Sequence, residues 1–396
     1  MRIVFITNFV NHHQRPVAEY LSAALGDDYH FVTTEPMPEV FIRTGYKPQD
    51  DLSFVIPYYK EENKERVKKL VKETDVVIVG DASAPELIEM RLTTKKLLLF
   101  YSERWHKNLK SYFALPFRYI SGTVYKLFTR FNQENAYMLC ASAFVPNDCR
   151  WAMAYKGKTY KWGYFPPFNS LDIEKLQEAR RQHKEVKLLS VCRMIGWKHP
   201  ELSLYVAKRL CDHGYNFHLT MVGGVYDDDP NSIKVMKYCQ DYIKKNRLEK
   251  YVEMVGAIKN EDVCRLYEET DIFMFTSDRR EGWGAVLNEA MSRGCAVVAS
   301  DMIGAVPYLI DDNRTGLKFK SVNTNDLYNK VVWLIDNKEE RLNMGLNAYN
   351  HIKNTWSPNV AAGRLLNLCE QLLENKCTTY KEGPCSIADP VKNRIF

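Results

Sequence analysis

Two glutamates, Glu281 and Glu289, bracket the run Gly-Trp-Gly-Ala-Val-Leu-Asn. Before them lies an apolar run, Asp271-Ile-Phe-Met-Phe-Thr-Ser277, which reads as a buried strand with a polar end. The loop Asp278-Arg-Arg-Glu-Gly-Trp-Gly284 follows, then a helix over Ala285–Arg293 closed by Gly294, then a second buried strand, Cys295-Ala-Val-Val-Ala-Ser300. A strand, a glycine loop and a helix start make an anion site, because free N–H groups and the positive end of the helix dipole converge there. Gly282 and Gly284 let the backbone approach a phosphate, since no Cβ stands in the way. Glu289 falls about two helical turns after Glu281, roughly on the same side. Neither carboxylate would help to hold phosphate, but each can accept hydrogen bonds from the hydroxyls of a ribose or a sugar. Phosphate donors beside two hydroxyl acceptors point to a nucleotide sugar.

The elements that would position this site follow from length and pattern. A chain of 396 residues with 45% apolar content predicts two globular domains. No apolar run approaches the ~18–20 residues of a membrane span, and Met1-Arg-Ile-Val-Phe-Ile-Thr7 turns polar too soon for a signal peptide. The 10 cysteines form no CxxC pair or Cys/His cluster, which fits reduced thiols in a cytoplasmic protein better than disulfides or zinc. A net charge of +6 allows contact with an anionic surface and does not indicate nucleic acid.

Along the chain, Arg2–Thr7 is a buried strand, Asn8–Arg15 a polar loop, and Pro16 opens a helix: the start of a doubly wound domain. Further strands are expected at Asp75–Gly80, Lys96–Tyr101, Tyr137–Ser142 and Lys161–Phe165, with Pro166-Pro167 as linker. A second series begins with strands Val186–Cys192, Phe217–Gly224 and Tyr251–Gly256 and leads into the two-glutamate block. The segment 376–396 reads as an irregular tail. In the first loop, His12 and His13 are either surface residues beside a helix start or hydrogen-bond donors at a reaction centre. Glu103, at the end of the Lys96–Tyr101 strand, either forms a surface ion pair or orients an acceptor hydroxyl. From Arg104 to Gln133 cations alternate with aromatics and no acidic residue occurs. That suits peripheral contact with an anionic membrane, with a core helix pair as the alternative.

Glu281 to Glu289 resembles the E-x7-E motif of retaining glycosyltransferases of family 4, which have the GT-B fold. The flanks match as well: Glu281-Gly-Trp-Gly284, Glu289-Ala-Met, Gly294-Cys-Ala-Val-Val-Ala-Ser300 and Asn313-Arg-Thr-Gly316. The resemblance implies two doubly wound Rossmann-like domains facing each other across a cleft: an acceptor-binding domain over 1–167, a nucleotide-sugar-binding domain over 168–358, and a C-terminal helix with tail over 359–396 returning to the first. It implies that Arg193 and Lys198, in a strand-to-helix loop, hold the donor diphosphate, so that no metal and no other cofactor is needed. Gly282, Trp283, Gly284 and Ala285 would offer N–H groups, Glu281 would bind the transferred sugar and Glu289 the ribose. Gly223, and Ile258 at the nucleobase, complete the donor set. His13 and Glu103 are the acceptor-side candidates; at the place of Glu103 many relatives carry a histidine, and here His106 comes three residues later.

The expected function is transfer of a sugar from a nucleoside-diphosphate donor, preferentially a UDP-sugar, to a hydroxyl of a lipid-linked or polysaccharide precursor, with retention. The alternatives are a GT-B synthase or phosphorylase acting on a soluble sugar, or a non-catalytic subunit that binds nucleotide sugar or glycan.

Overall fold

The computed structural model describes residues 1–43, 47–80, 84–107, 134–225 and 229–391. The chain divides into two compact units, Met1–Pro167 with Thr355–Phe396, and Phe168–Asn354.

The first unit is built on seven parallel strands: β1 (Ile3–Thr7), β2 (Tyr29–Thr33), β3 (Val55–Pro57), β4 (Val76–Val79), β5 (Leu97–Ser102), β6 (Ala136–Cys140) and β7 (Thr159–Lys161). Their order is β3-β2-β1-β4-β5-β6-β7, with Ile3 opposite both Tyr29 and Val76. All five residues of β1 and all four of β4 are buried, as continuous apolar runs must be in a parallel sheet covered on both faces. Helices α1 (Arg15–Leu25), α2 (Glu39–Arg43), α3 (Lys64–Glu73), α4 (Pro85–Thr93) and α5 (Val145–Trp151) make the connections among the described residues. The buried Arg91 of α4 donates to the carbonyls of Val71, Thr74, Asp75 and Leu97, which ties the ends of α3, β4 and β5 together.

The second unit repeats the plan with β8 (Val186–Val191), β9 (Phe217–Val222), β10 (Val252–Gly256), β11 (Ile272–Phe275), β12 (Ala296–Ser300) and β13 (Leu317–Phe319). Their order is β10-β9-β8-β11-β12-β13, again parallel throughout. The helices are α6 (Ile173–Arg181), α7 (Pro200–Asp212), α8 (Pro230–Lys245), α9 (Asn260–Glu269), α10 (Ala285–Ser292), α11 (Val306–Leu309), α12 (Thr324–Asp336) and α13 (Lys338–His351). Here Arg180 plays the part that Arg91 plays in the first unit, donating to the carbonyls of Tyr267, Glu268, Arg293 and Gly294. α14 (Pro358–Leu373) then packs against α1 of the first unit.

Two expectations change. The strand expected over Lys161–Phe165 ends at Lys161. Trp162 and Phe165 are apolar because they are buried, with Phe165 stacked on Trp356, not because they continue a ladder. The segment read as an irregular tail is anchored: Cys385 N donates to Lys161 O (2.7 Å), Lys161 N to Ser386 O (2.8 Å) and Ala388 N to Thr159 O (2.9 Å), antiparallel to β7. It thereby covers an edge that would otherwise expose unpaired backbone groups. The basic aromatic stretch expected to contact a membrane lies, beyond Lys107, outside the described residues. Among the described residues no helix is long and apolar enough to cross a membrane.

Candidate active site

In an open parallel sheet, ligands bind beyond the carboxyl ends of the strands where the strand order reverses. In the second unit that point lies between β8 and β11. The loop leaving β8 carries Arg193 and Lys198, and the loop leaving β11 carries Glu281. The two loops are cross-linked. Thr276 Oγ1 donates to the Lys198 carbonyl (2.8 Å), and Asp278 N to the Trp197 carbonyl (3.0 Å). Lys198 Nζ and the Glu281 carboxylate form an ion pair, each side chain only 11% exposed. Lys198 Nζ also stands 4.5 Å from the centre of the Trp197 ring, and the exposed Arg193 has its guanidinium 5.8 Å from the same ring. Both cations of the loop therefore stand at the Trp197 ring.

Gly284 caps α10 with φ of 92°. A Cβ there would stand 2.6 Å from the Phe275 ring and 3.3 Å from Glu281 Cγ, so glycine is required for both the conformation and the fit. Trp283 points inward and donates from Nε1 to Asn288 (2.9 Å). Gly304 N and Ala305 N donate to the carbonyls of Glu281 and Trp283, which fixes the loop from the β12 side. The first N–H groups of α10, at Ala285 and Val286, have no acceptor within the helix, as at any helix start. Gly223, with φ of 149°, lies against the β8 exit: a Cβ would stand 1.7 Å from the Cys192 carbonyl oxygen. Its N–H donates to Gly256 O (2.8 Å), and the half-buried Ile258 follows in the β10 exit. Glu289 sits half-buried on α10. Burial pushes its carboxyl up to about 7, against the opposing pull of Arg293 and the Tyr267 hydroxyl.

The first unit has its own constellation at the exits of β1 and β5. Glu103 accepts from Tyr164 Oη (2.5 Å) at one oxygen and from Lys107 Nζ (2.8 Å) at the other. The His13 ring stacks on Tyr164 with centroids 3.8 Å apart, and Phe165 N donates to the His13 carbonyl. Burial, and secondarily His12, holds the His13 imidazole well below its ordinary range, so it is neutral near pH 7; burial lowers His12 to about 4. His106 is buried, with its backbone N–H 3.4 Å from Asp148 Oδ2.

Residues 172–351 match the sequence model of the family described as glycosyl transferases group 1. The match spans almost the whole of the second unit. Among similar proteins, the poly(ribitol-phosphate) alpha-N-acetylglucosaminyltransferase of Staphylococcus aureus is 28% identical over 204 residues, 51% of this chain and 39% of that protein. The N,N'-diacetylbacillosaminyl-diphospho-undecaprenol alpha-1,3-N-acetylgalactosaminyltransferase of Campylobacter jejuni is 32% identical over 124 residues, 31% of this chain and 32% of that protein. Thus the chain spans less than half the length of these curated relatives. The crystal structure of Anabaena Alr3699/HepE in complex with UDP superposes with a TM-score of 0.68 at 15% identity, covering 95% of this chain and 99% of that one. The fold is GT-B, as the sequence resemblance implies.

Within the second unit the structure unites Lys198 with Glu281, Arg193 with Trp197, and Gly223 with the β8 exit. Glu289 lies beside Tyr267 and Arg293. Sequence reasoning missed Thr276, Asp278, His199 and Tyr164. The first two stand in the loop before Glu281, and a count of polar groups after β11 would have raised them. Nothing in the sequence marks Tyr164, which reaches Glu103 only through the fold.

Proposed function

We propose that the chain is a retaining glycosyltransferase that moves a sugar from a nucleoside-diphosphate donor, preferentially a UDP-sugar, to an acceptor hydroxyl of a lipid-linked or polysaccharide precursor. The Lys198–Glu281 pair carries this reading, because it sets a diphosphate-binding cation and a hydroxyl-binding carboxylate side by side at the switch point. Arg193 and Lys198 stabilise the negative charge that grows on the leaving diphosphate. The N–H groups from Gly282 to Ala285 receive phosphate or sugar oxygens, Glu281 the sugar hydroxyls and Glu289 the ribose; Gly223 and Ile258 border the nucleoside. With the positive charge supplied by side chains, turnover is expected to need no added metal.

Retention is supported by the family resemblance and by the alpha linkage in the names of both relatives, since the common UDP-N-acetylhexosamine donors are themselves alpha-linked. On the acceptor side, Glu103 accepts a hydrogen bond from the attacking hydroxyl and neutral His13 lies beside it. A polyprenyl-diphosphate or polyol-phosphate acceptor is supported by the relatives' names and by the basic aromatic composition of 104–133, which would hold the enzyme peripherally at the cytoplasmic face of an anionic membrane.

The test is donor consumption across UDP-, GDP-, ADP- and dTDP-sugars with a lipid extract as acceptor, with and without EDTA. We expect one UDP-sugar to be consumed, undiminished by EDTA, and lost in Lys198→Ala and Glu281→Ala. Donor binding without turnover in any lipid extract would instead indicate a non-catalytic binding subunit.

A further inference from the structure

His199 directly follows Lys198 and caps α7, with φ of 51° and ψ of 50°. An L-residue adopts this left-handed backbone at a cost and keeps it only where its surroundings impose it. Here both ring nitrogens are committed. Nδ1 lies 2.8 Å from Glu201 Oε1 on α7, and Nε2 lies 3.3 Å from Asp278 Oδ2 on the loop leaving β11. Asp278 is further held by Arg280, through Nη2 at 2.6 Å and the backbone N–H at 2.8 Å. The ring is thus a bridge from the loop that carries Lys198 to the loop that carries Glu281. It is the side-chain counterpart of the Thr276–Lys198 and Asp278–Trp197 bonds beside it.

We propose that His199 is a positioning residue whose imidazolium, held between Glu201 and Asp278, clamps the β8 exit loop to the β11 exit loop and so sets Lys198 against Glu281 for the donor diphosphate. The proposal rests on the donor-site reading above. His199 is not itself a phosphate ligand, because both of its N–H groups point at carboxylates. The charged groups facing it are Glu201 from α7, and Asp278 with Arg280 from the β11 exit; Lys198 is its chain neighbour. The bonds to Asp278 and Glu201 raise its pKa to about 9 against the effect of burial, so the ring is charged at neutral pH. Asp278, for its part, is held well below the carboxylate range by His199 and Arg280, although burial opposes this. The clamp therefore persists below the imidazole's ordinary value near 6.5 and opens as pH rises through about 9.

Two variants separate clamp from mere fold. His199→Asn tolerates the left-handed backbone but cannot carry the charge. His199→Arg keeps a cation across the whole pH range. We expect His199→Asn to raise the donor KM about tenfold with the acceptor KM unchanged, a loss of about 1.4 kcal/mol in donor binding. His199→Arg should keep the donor KM near that of the wild type and remove the alkaline limb near pH 9. Amide hydrogen exchange at pH 7, without any donor, should show faster exchange over 276–281 in His199→Asn than in the wild type. A wild-type donor KM and unchanged exchange in His199→Asn would overturn the clamp, as would an alkaline limb that survives in His199→Arg. If the wild type consumes no nucleotide sugar, the donor reading fails on its own, and the exchange measurement still decides whether His199 joins the two loops.

Discussion

Lys198 and Glu281 neutralise each other across the gap between the β8 and β11 exit loops, both nearly buried. A diphosphate arriving at Lys198 must compete with that carboxylate. Once it wins the cation, Glu281 is released to accept hydroxyls. Recognition of phosphate and of sugar would thereby be coupled through one exchange of partners. Glu281→Gln removes the competitor. We expect it to bind free UDP about tenfold more tightly, about 1.4 kcal/mol, while transfer collapses. Lys198→Met should lose UDP binding and also lose about 3–5 kcal/mol of stability, because it strands a buried carboxylate. Calorimetric titration with UDP beside thermal melts checks both. Weaker UDP binding in Glu281→Gln would show that the carboxylate assists the nucleotide and does not compete with it.

The glycines of the site make a different prediction, since they act through space and not charge. At Gly223 an added Cβ would meet the Cys192 carbonyl at 1.7 Å, a clash with backbone that no rotamer can relieve. Gly223→Ala should cost roughly 3 kcal/mol or more, as overpacking and conformational strain add. At Gly284 the nearest atoms belong to side chains, the buried Phe275 ring and Glu281 Cγ, rather than to backbone, although φ of 92° strains any L-residue there. Gly284→Ala should therefore keep more stability than Gly223→Ala but lose donor affinity, because Glu281 moves. Melting temperature and donor KM measured together would separate the two; equal loss of both in both variants would sink the distinction.

The sequence carried the second unit further than the first, for physical reasons. There β11 and β12 are fully buried apolar runs, and β9, although interrupted by His218 and Thr220, runs straight into Gly223-Gly224. In the first unit β2, Tyr-His-Phe-Val-Thr, has no glycine loop at its exit to mark its end, and β3 has only three residues and ends in proline, so neither stands out as a strand in the sequence. Pairing partners escape sequence reading altogether. Arg180 reads as one of several charges on a polar helix, yet it is buried and collects four carbonyls. Lys198 and Glu281 could be read as cation and carboxylate from their loops, but not as partners, because 83 residues separate them.

Arg180 gives the clearest stability test outside the site. Arg180→Ala removes a donor from four carbonyls; Gly294 keeps Gln177 Nε2 and Tyr267 keeps the Thr270 N–H, but those of Glu268 and Arg293 lose theirs, at about 1–3 kcal/mol each if unsatisfied. We expect severe destabilisation of the second unit, with a partial recovery in Arg180→Lys, which can reach fewer of the carbonyls. Chemical denaturation monitored by fluorescence would report it. A variant with unchanged midpoint would mean that water replaces the guanidinium.

Glu289 predicts the pH dependence of donor binding. Its carboxyl is raised to about 7 in the folded protein, so below that pH it is largely protonated. The sign is then fixed. The raised value makes the fold lose stability as pH climbs from the ordinary glutamate range through about 7, because the buried carboxylate must ionise. A ribose hydroxyl that donates to the carboxylate restores a partner, so donor binding should strengthen over the same interval. The donor KM should fall from pH 6 to pH 8 in the wild type and stay flat in Glu289→Gln. A slope that persists in Glu289→Gln would assign the titration to another group.

Tyr164 offers the corresponding test in the first unit. Its ring stacks on His13 while its hydroxyl donates to Glu103 at 2.5 Å, and Lys107 holds the other carboxylate oxygen. Tyr164→Phe keeps the ring that stacks on His13 and removes only the hydroxyl. The loss in stability should be about 1 kcal/mol, the net value of a single hydrogen bond. If Glu103 receives the acceptor hydroxyl, freeing one of its oxygens lets the carboxylate rotate away from its fixed direction. Transfer to acceptor should then fall about tenfold or more, while slow donor hydrolysis in the absence of acceptor stays unchanged. Steady-state transfer and acceptor-free hydrolysis on the same preparation would measure both. An equal fall in the two rates would place Tyr164 and Glu103 on the donor side instead, and unchanged rates would leave them as packing.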